Sequence, residues 1–105
     1  MPTTADVARA YTKLLRNGEF AAAGKQFWSV NIERIEPREN NPHWFDACRI
    51  DDLTIDGPFV TGNQFALFMD MMITNRASGN SQPFTEIAIF NVRDGRITEE
   101  RFFYD

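Results

Sequence analysis

Apolar residues in the first part of the chain recur at helical spacing. Val7, Ala10, Tyr11 and Leu14 fall at i, i+3, i+4 and i+7, which predicts an amphipathic helix over 4–17. Thr3 or Thr4 supplies its cap with Asp6 in the first turn. Asn17-Gly18 ends it, because glycine readily takes the left-handed conformation of a helix terminus. A second, shorter helix over about 19–28 sets Phe20, Ala23 and Phe27 on one stripe. The run VNIERIEP then spaces Val30, Ile32 and Ile35 among charges and reads as a strand stopped by Pro37. RENNP, 38–42, reads as a loop, and HWFDA, 43–47, as one short helical turn.

From Cys48 onward the pattern is extended. CRIDDLTID, QFALFMDMMITN, PFTEIAIFNV and RITEERFFYD are divided by Gly57-Pro58, Gly62-Asn63, Ser78-Gly79-Asn80 and Asp94-Gly95, all turn-forming combinations. Helices first and a meander afterwards predict an α+β fold, with the helices packed on one face of a curved sheet. At 105 residues the chain is expected to form one domain over 1–105 with one core.

Strand periodicity then sorts the side chains by face. A two-residue turn at Asp94-Gly95 sets Val92 opposite Ile97, Phe90 opposite Glu99, Ala88 opposite Arg101 and Glu86 opposite Phe103. One face then holds Phe84, Glu86, Ala88 and Phe90 beside Glu99, Arg101 and Phe103, and the other holds Ile87, Ile89, Phe102 and Tyr104. Bringing 64–75 back with Asp70 near Ala88 adds Phe68, Asp70 and Met72 to the first face. Leu67, Met69, Met71 and Ile73 go to the second. Both faces are largely apolar, so both are expected to be covered. The first also gathers Asp70, Glu86 and Arg101 among rings, a mixture unlike either a solvated face or a plain core. A ligand pocket lined by Phe27, Phe68, Asp70, Met72, Phe84, Arg101 and Phe103 accounts for both features. A structural ion pair between Glu86 and Arg101 is the competing reading.

Composition narrows the classes of function. Hydrophobic residues make up 43% and charged ones 25%, ordinary for a globular protein, whereas ten phenylalanines are an excess that suits a ring-lined core or pocket. A net charge of −4 argues against a nucleic-acid surface. Cys48 has no second cysteine to pair with, which points to a reducing compartment and a cytoplasmic location. The N-terminus MPTTADVARA has no apolar signal core, and the longest apolar run, FALFM, is far too short to span a membrane. His43 stands in a polar loop without partners at ligand spacing, so no metal site is expected. Met69, Met71 and Met72 read as packing, and no phosphate loop or nucleophile elbow implies a cofactor.

Three stretches taken together carry a family resemblance. AYTKLLRNGEFAAAGKQF, the IEP that closes the first strand, and NVRDGRITEERFFYD resemble the SnoaL-like polyketide cyclases and ketosteroid isomerases of the nuclear-transport-factor-2-like superfamily. GPFVTGNQFA is similar to a SnoaL-like subgroup with a Gly-Pro-Phe-Val strand. The resemblance implies a cone-shaped, curved antiparallel sheet wrapped around the N-terminal helices over a deep pocket. It also implies a homodimer through the outer sheet face. The short region after Pro37 points to a truncated third helix. By the same resemblance Tyr11 matches an oxyanion-hole tyrosine, Glu36 the general-base carboxylate before a proline, and Glu86 a carboxylic acid kept neutral. The implied activity is proton transfer beside a carbonyl of a small hydrophobic molecule. Two alternatives stay open: a non-catalytic pocket in which Arg101 anchors a carboxylate, and a dimeric interaction module with a vestigial pocket.

Overall fold

The structure is a computed structural model that describes residues 2–37 and 47–104. Helix α1 (Thr4–Arg16) and helix α2 (Phe20–Phe27) precede β1 (Trp28–Ile35), β2 (Cys48–Thr61), β3 (Gln64–Asn75), β4 (Ser81–Arg93) and β5 (Arg96–Phe103). The strands lie side by side as β1-β5-β4-β3-β2. β2 to β5 form the expected antiparallel meander, while β1 runs parallel to β5, so the sheet is mixed and open. This is the α+β architecture anticipated from the sequence. The expected loop at 38–42, most of the helical turn at 43–47, His43 and any third helix there fall outside the described residues.

Helix α1 begins with a reciprocal cap. The Thr3 hydroxyl accepts from the Asp6 backbone N–H at 3.1 Å, and the Asp6 carboxylate accepts from the Thr3 N–H at 3.0 Å. Its buried stripe is Val7, Ala8, Tyr11, Thr12 and Leu15, turned from the predicted one so that Ala10 is exposed. Ala8 and Thr12 are small, and they let the helix lie close against the sheet. Gly18 supplies the expected left-handed residue at φ 77° after the helix ends. The core is the space between this stripe and one sheet face, where Phe65, Leu67, Ile73, Ala88, Phe90 and Ile97 are buried.

Three local irregularities decide which side chains reach that space. The first is the β3–β4 connection. Asn75 accepts from the N–H groups of Ala77 and Ser78 at its side-chain oxygen, 3.0 Å each, and its own N–H donates to the Asn80 carbonyl. That turn pairs Asp70 with Thr85 and Met69 with Glu86, three residues away from the predicted register. An odd offset exchanges the faces. Met69 and Met71 therefore face the helices, while Phe68, Asp70 and Met72 lie exposed on the outer face.

The second is in the last hairpin. Asp94 (φ 53°) and Gly95 (φ 76°) form the predicted two-residue turn, with Arg93 opposite Arg96 and Val92 opposite Ile97. The register then shifts between Asn91 and Val92 on one side and Ile97 and Glu99 on the other, leaving Thr98 as an extra residue. Beyond it Phe90 faces Glu100 and Ala88 faces Phe102. Arg101 and Phe103 are thus turned to the outer face, contrary to the expectation that they line a pocket, and Glu100 takes the inner position. The third irregularity is Gly57-Pro58, which is not a strand boundary. Its peptide bond is cis, and it sits in a bulge within β2, between Asp56 and Phe59. Arg16, at the end of α1, donates to the Ile55 and Gly57 carbonyls at 2.9 Å each and ties the helix to that bulge.

Gly24 of α2 lies directly against the Trp28 ring. A Cβ there would lie 2.9 Å from atoms of the Trp28 side chain. Gly24→Ala should therefore lose about 1–2 kcal/mol in urea denaturation, because overpacking against the indole outweighs the gain in helix propensity. A variant more stable than wild type would show that the indole yields freely.

Candidate functional site

Between α1, the ends of β1 and β2, and the inner face of the sheet lies a cavity of about 1370 Å³. Its walls mix apolar groups (Leu53, Met69, Met71, Phe90, Phe102) with Tyr11, Trp28, Arg34, Glu36, Glu86, Glu100 and Tyr104. Such a mixture on an inner sheet face arises because alternate positions of β3, β4 and β5 all point to one side.

Glu100 is the most constrained of the polar groups. Its side chain is 1% exposed. Oε1 accepts from the Tyr11 hydroxyl at 2.8 Å and from Trp28 Nε1 at 2.7 Å, and Oε2 accepts from Arg34 Nε at 2.9 Å. The three donors come from α1 and the two ends of β1, so the carboxylate joins helix to strand. A charge this deep is costly unless paired and fully hydrogen-bonded, and here it is both. Trp28 Nε1 also lies 3.2 Å from the Tyr11 oxygen, which accepts from it. The Tyr11 proton is directed at Glu100. Burial, then the Glu100 charge, hold the Tyr11 hydroxyl well above the usual phenol range, so it stays protonated.

Glu86, from the middle of β4, is half-buried, and the described residues give it no hydrogen bond. Burial first, then repulsion from Glu36 and Glu100, push its carboxyl up to about 7, with Arg34 acting in the opposite direction. Glu36, just past β1, accepts from the Tyr104 hydroxyl at 3.3 Å. The Tyr104 ring packs on Phe84 with centroids 5.2 Å apart.

Tyr11, Glu36 and Glu86, expected from the sequence to act together, line this one cavity. Phe27 is buried one layer behind it, edge-on to Tyr11 with centroids 6.1 Å apart. Phe84 is buried behind Tyr104. Phe68, Asp70, Met72, Arg101 and Phe103 lie on the opposite face of the sheet, for the register reasons given above, and Arg101 pairs there with Glu99 at 3.0 Å. The ion pair of Glu86 with Arg101, the competing reading of that face, is therefore not formed. Sequence reasoning overlooked Trp28, Arg34, Glu100 and Tyr104. A signal for two of them exists: Ile97 is odd-numbered and the apolar pair Phe102 and Tyr104 is even-numbered. Both sets can face inward only across a bulge, and that bulge carries Glu100 inward too. Among the described residues no group of three or more His, Cys, Asp or Glu side chains is arranged to hold a metal ion. No helix among them is long and apolar enough to cross a membrane.

A family model for the SnoaL-like domain matches residues 46–104. The chain belongs to the SnoaL-like family. Among solved structures, a Mesorhizobium loti protein provisionally described as a SnoaL-like polyketide cyclase superposes with a TM-score of 0.85 at 29% identity. The match covers 98% of this chain and 100% of that one. An NTF2-like protein from Burkholderia thailandensis matches with a TM-score of 0.78 at 16% identity, over 100% of this chain and 92% of its own. A Xanthomonas campestris protein of unknown function with a cystatin-like fold gives 0.76 at 16%, over 98% and 91%. The latter two establish the NTF2-like, cystatin-like fold. No curated protein matches the chain.

The raised Glu86 carboxyl fixes the sign of a pH effect. Between its ordinary value of 4.5 and about 7 the folded chain keeps the proton that the unfolded chain releases. The native state then binds more protons, so this group's contribution to stability falls as pH rises through that window. Glu86→Gln should gain on wild type by up to about 3 kcal/mol between pH 4.5 and 7.5, read from urea midpoints. A pH-independent difference would place the Glu86 carboxyl in its ordinary range.

Proposed function

We propose that this SnoaL-like protein binds a small, largely apolar, carbonyl-bearing molecule in the cavity and moves a proton beside the carbonyl. The observation that carries the reading is Glu86: a carboxyl among Met and Phe side chains, shifted to about 7 and free of hydrogen bonds to described residues. A carboxyl with that value keeps its proton far above the ordinary carboxylate range, as a hydrogen-bond donor to a developing oxyanion requires. In this reading Glu36, held by Tyr104, takes the proton from carbon, and neutral Glu86 donates a hydrogen bond to the oxygen where charge develops. Tyr11, with its proton directed at Glu100, shapes and orders the wall. Its matched role as a direct oxyanion donor gives way to Glu86. The fold by itself supports no particular reaction, since one scaffold hosts many.

Solvent deuterium incorporation is the direct test. Followed by NMR on 2-tetralone and cyclohexenone, wild type should accelerate exchange beside the carbonyl. Glu36→Gln and Glu86→Gln should each slow it by about 100-fold or more. Variants that exchange as fast as wild type would remove these two residues from catalysis. Wild type with no acceleration would leave the non-catalytic binding reading in its place.

A second reading concerns assembly. On the outer face Phe59, Phe68, Met72 and Phe103 are exposed around the half-buried Ile87 and Ile89. An apolar face of this kind is typical of an interface, and a second copy of the chain is the proposed cover. Sedimentation should give a dimer for wild type and a monomer for Phe68→Glu. A wild-type monomer at micromolar concentration would overturn this reading.

A further inference from the structure

Arg34 is a cavity group that the proton-transfer reading leaves unused. Its side chain is about half exposed, 49%, although its Nε is fixed to Glu100. The guanidinium carbon stands 4.9 Å from the centre of the Trp28 ring and 5.7 Å from that of Phe102. One edge hydrogen bond and two aromatic neighbours hold the plane of the group, so little rotamer freedom remains to be lost when a ligand binds. Among the described residues, Nε is the only nitrogen of Arg34 with a hydrogen bond. The two terminal nitrogens present the parallel N–H fork that matches a carboxylate.

We infer that Arg34 is the ligand-anchoring cation of the cavity, and that the ligand is an amphipathic monocarboxylate. This rests on the cavity being a small-molecule site, as proposed above, and narrows its ligand class. The apolar body is required by Met69, Met71, Phe90 and Phe102, which line the same cavity. A single negative charge is set by the remaining walls. Arg16, Arg49 and Arg76 also line the cavity, but Arg16 is held on the Ile55 and Gly57 carbonyls and Arg49 on Asp51. The lining acids Glu36, Asp51, Asp52, Glu86 and Glu100 outnumber the arginines, so a dianion such as a phosphate monoester would meet more repulsion than a monoanion. The sequence expectation of an arginine anchor for a carboxylate is thereby transferred from Arg101, on the outer face, to Arg34, on the inner one.

Paired probes of one shape test this. Isothermal calorimetry at pH 7 with 2-naphthoate and its neutral isostere 2-naphthamide should give about tenfold tighter binding of the acid to wild type. Arg34→Gln should bind both alike, and Arg34→Lys, which keeps the charge without the fork, should show a reduced preference. Arg93→Gln, exposed at the hairpin end of β4, should retain the full preference. If both probes bind wild type equally, or if the preference survives in Arg34→Gln, the inference fails while the small-molecule site stands. If neither probe binds wild type up to millimolar concentration, both fail. Should Arg34→Gln not fold, Arg34→Lys decides: an unchanged preference overturns the inference.

Discussion

A single buried carboxylate organises the inner half of this protein. Glu100 receives hydrogen bonds from α1 through Tyr11, from the start of β1 through Trp28 and from its far end through Arg34. β1 joins the sheet only through its parallel pairing with β5, with a register shift between Trp28 and Glu33. The side-chain bonds to Glu100 therefore bracket the irregular part of that strand. Removing the carboxylate would leave the buried Tyr11 O–H without its acceptor and the Arg34 guanidinium without its ion-pair partner, which is far more damaging than losing one surface pair.

The same interaction sets the chemistry of the cavity by dividing its acids. Glu100 spends its acceptor capacity on three protein donors, and Glu36 has Tyr104. Glu86 has neither arrangement, is desolvated by burial and feels the charge of both neighbours. Three acids sharing one space thus differ in availability because of their hydrogen bonds, not because of their residue type. Tyr11 illustrates the reverse. Its position on α1 puts it at the cavity, yet its proton is committed to Glu100, so proximity alone does not define its role.

The fold was readable because its signals are local and redundant. Thr3 with Asp6 caps α1, Asn17-Gly18 ends it, and Gly62-Asn63 and Asp94-Gly95 mark hairpin turns with the right residues. Glu86 is legible from its place on β4 and from resemblance, and Tyr11 and Glu36 from resemblance. The partners of these residues depend on register, which accumulates error along a strand. At β3 the uninterrupted odd-numbered set Phe65, Leu67, Met69, Met71 and Ile73 was the stronger core signal, and it outweighs Phe68 and Met72 flanking a charge. Asn75 starts the turn earlier than the Ser78-Gly79-Asn80 stretch suggests, because its side chain substitutes for backbone acceptors. At β5 the Asp94-Gly95 pair signals the two-residue turn, whereas nothing local marks the bulge at Thr98, which puts Glu100 where an unbroken alternation would put Arg101.

That bulge at Thr98 gives strand register a chemical meaning in the last hairpin. A strand whose register carries one surplus residue presents its even-numbered members inward, and the same strand paired without a bulge would present the odd-numbered ones. Deleting Thr98 itself would flatten the bulge and leave Glu100 facing inward, whereas pairing the full strand without a bulge would bring Arg101 and Phe103 inward in place of Glu100 and Phe102. Diversity of chemistry on such a scaffold need not wait for substitutions inside the chamber; a one-residue slip at its rim exchanges the reagents.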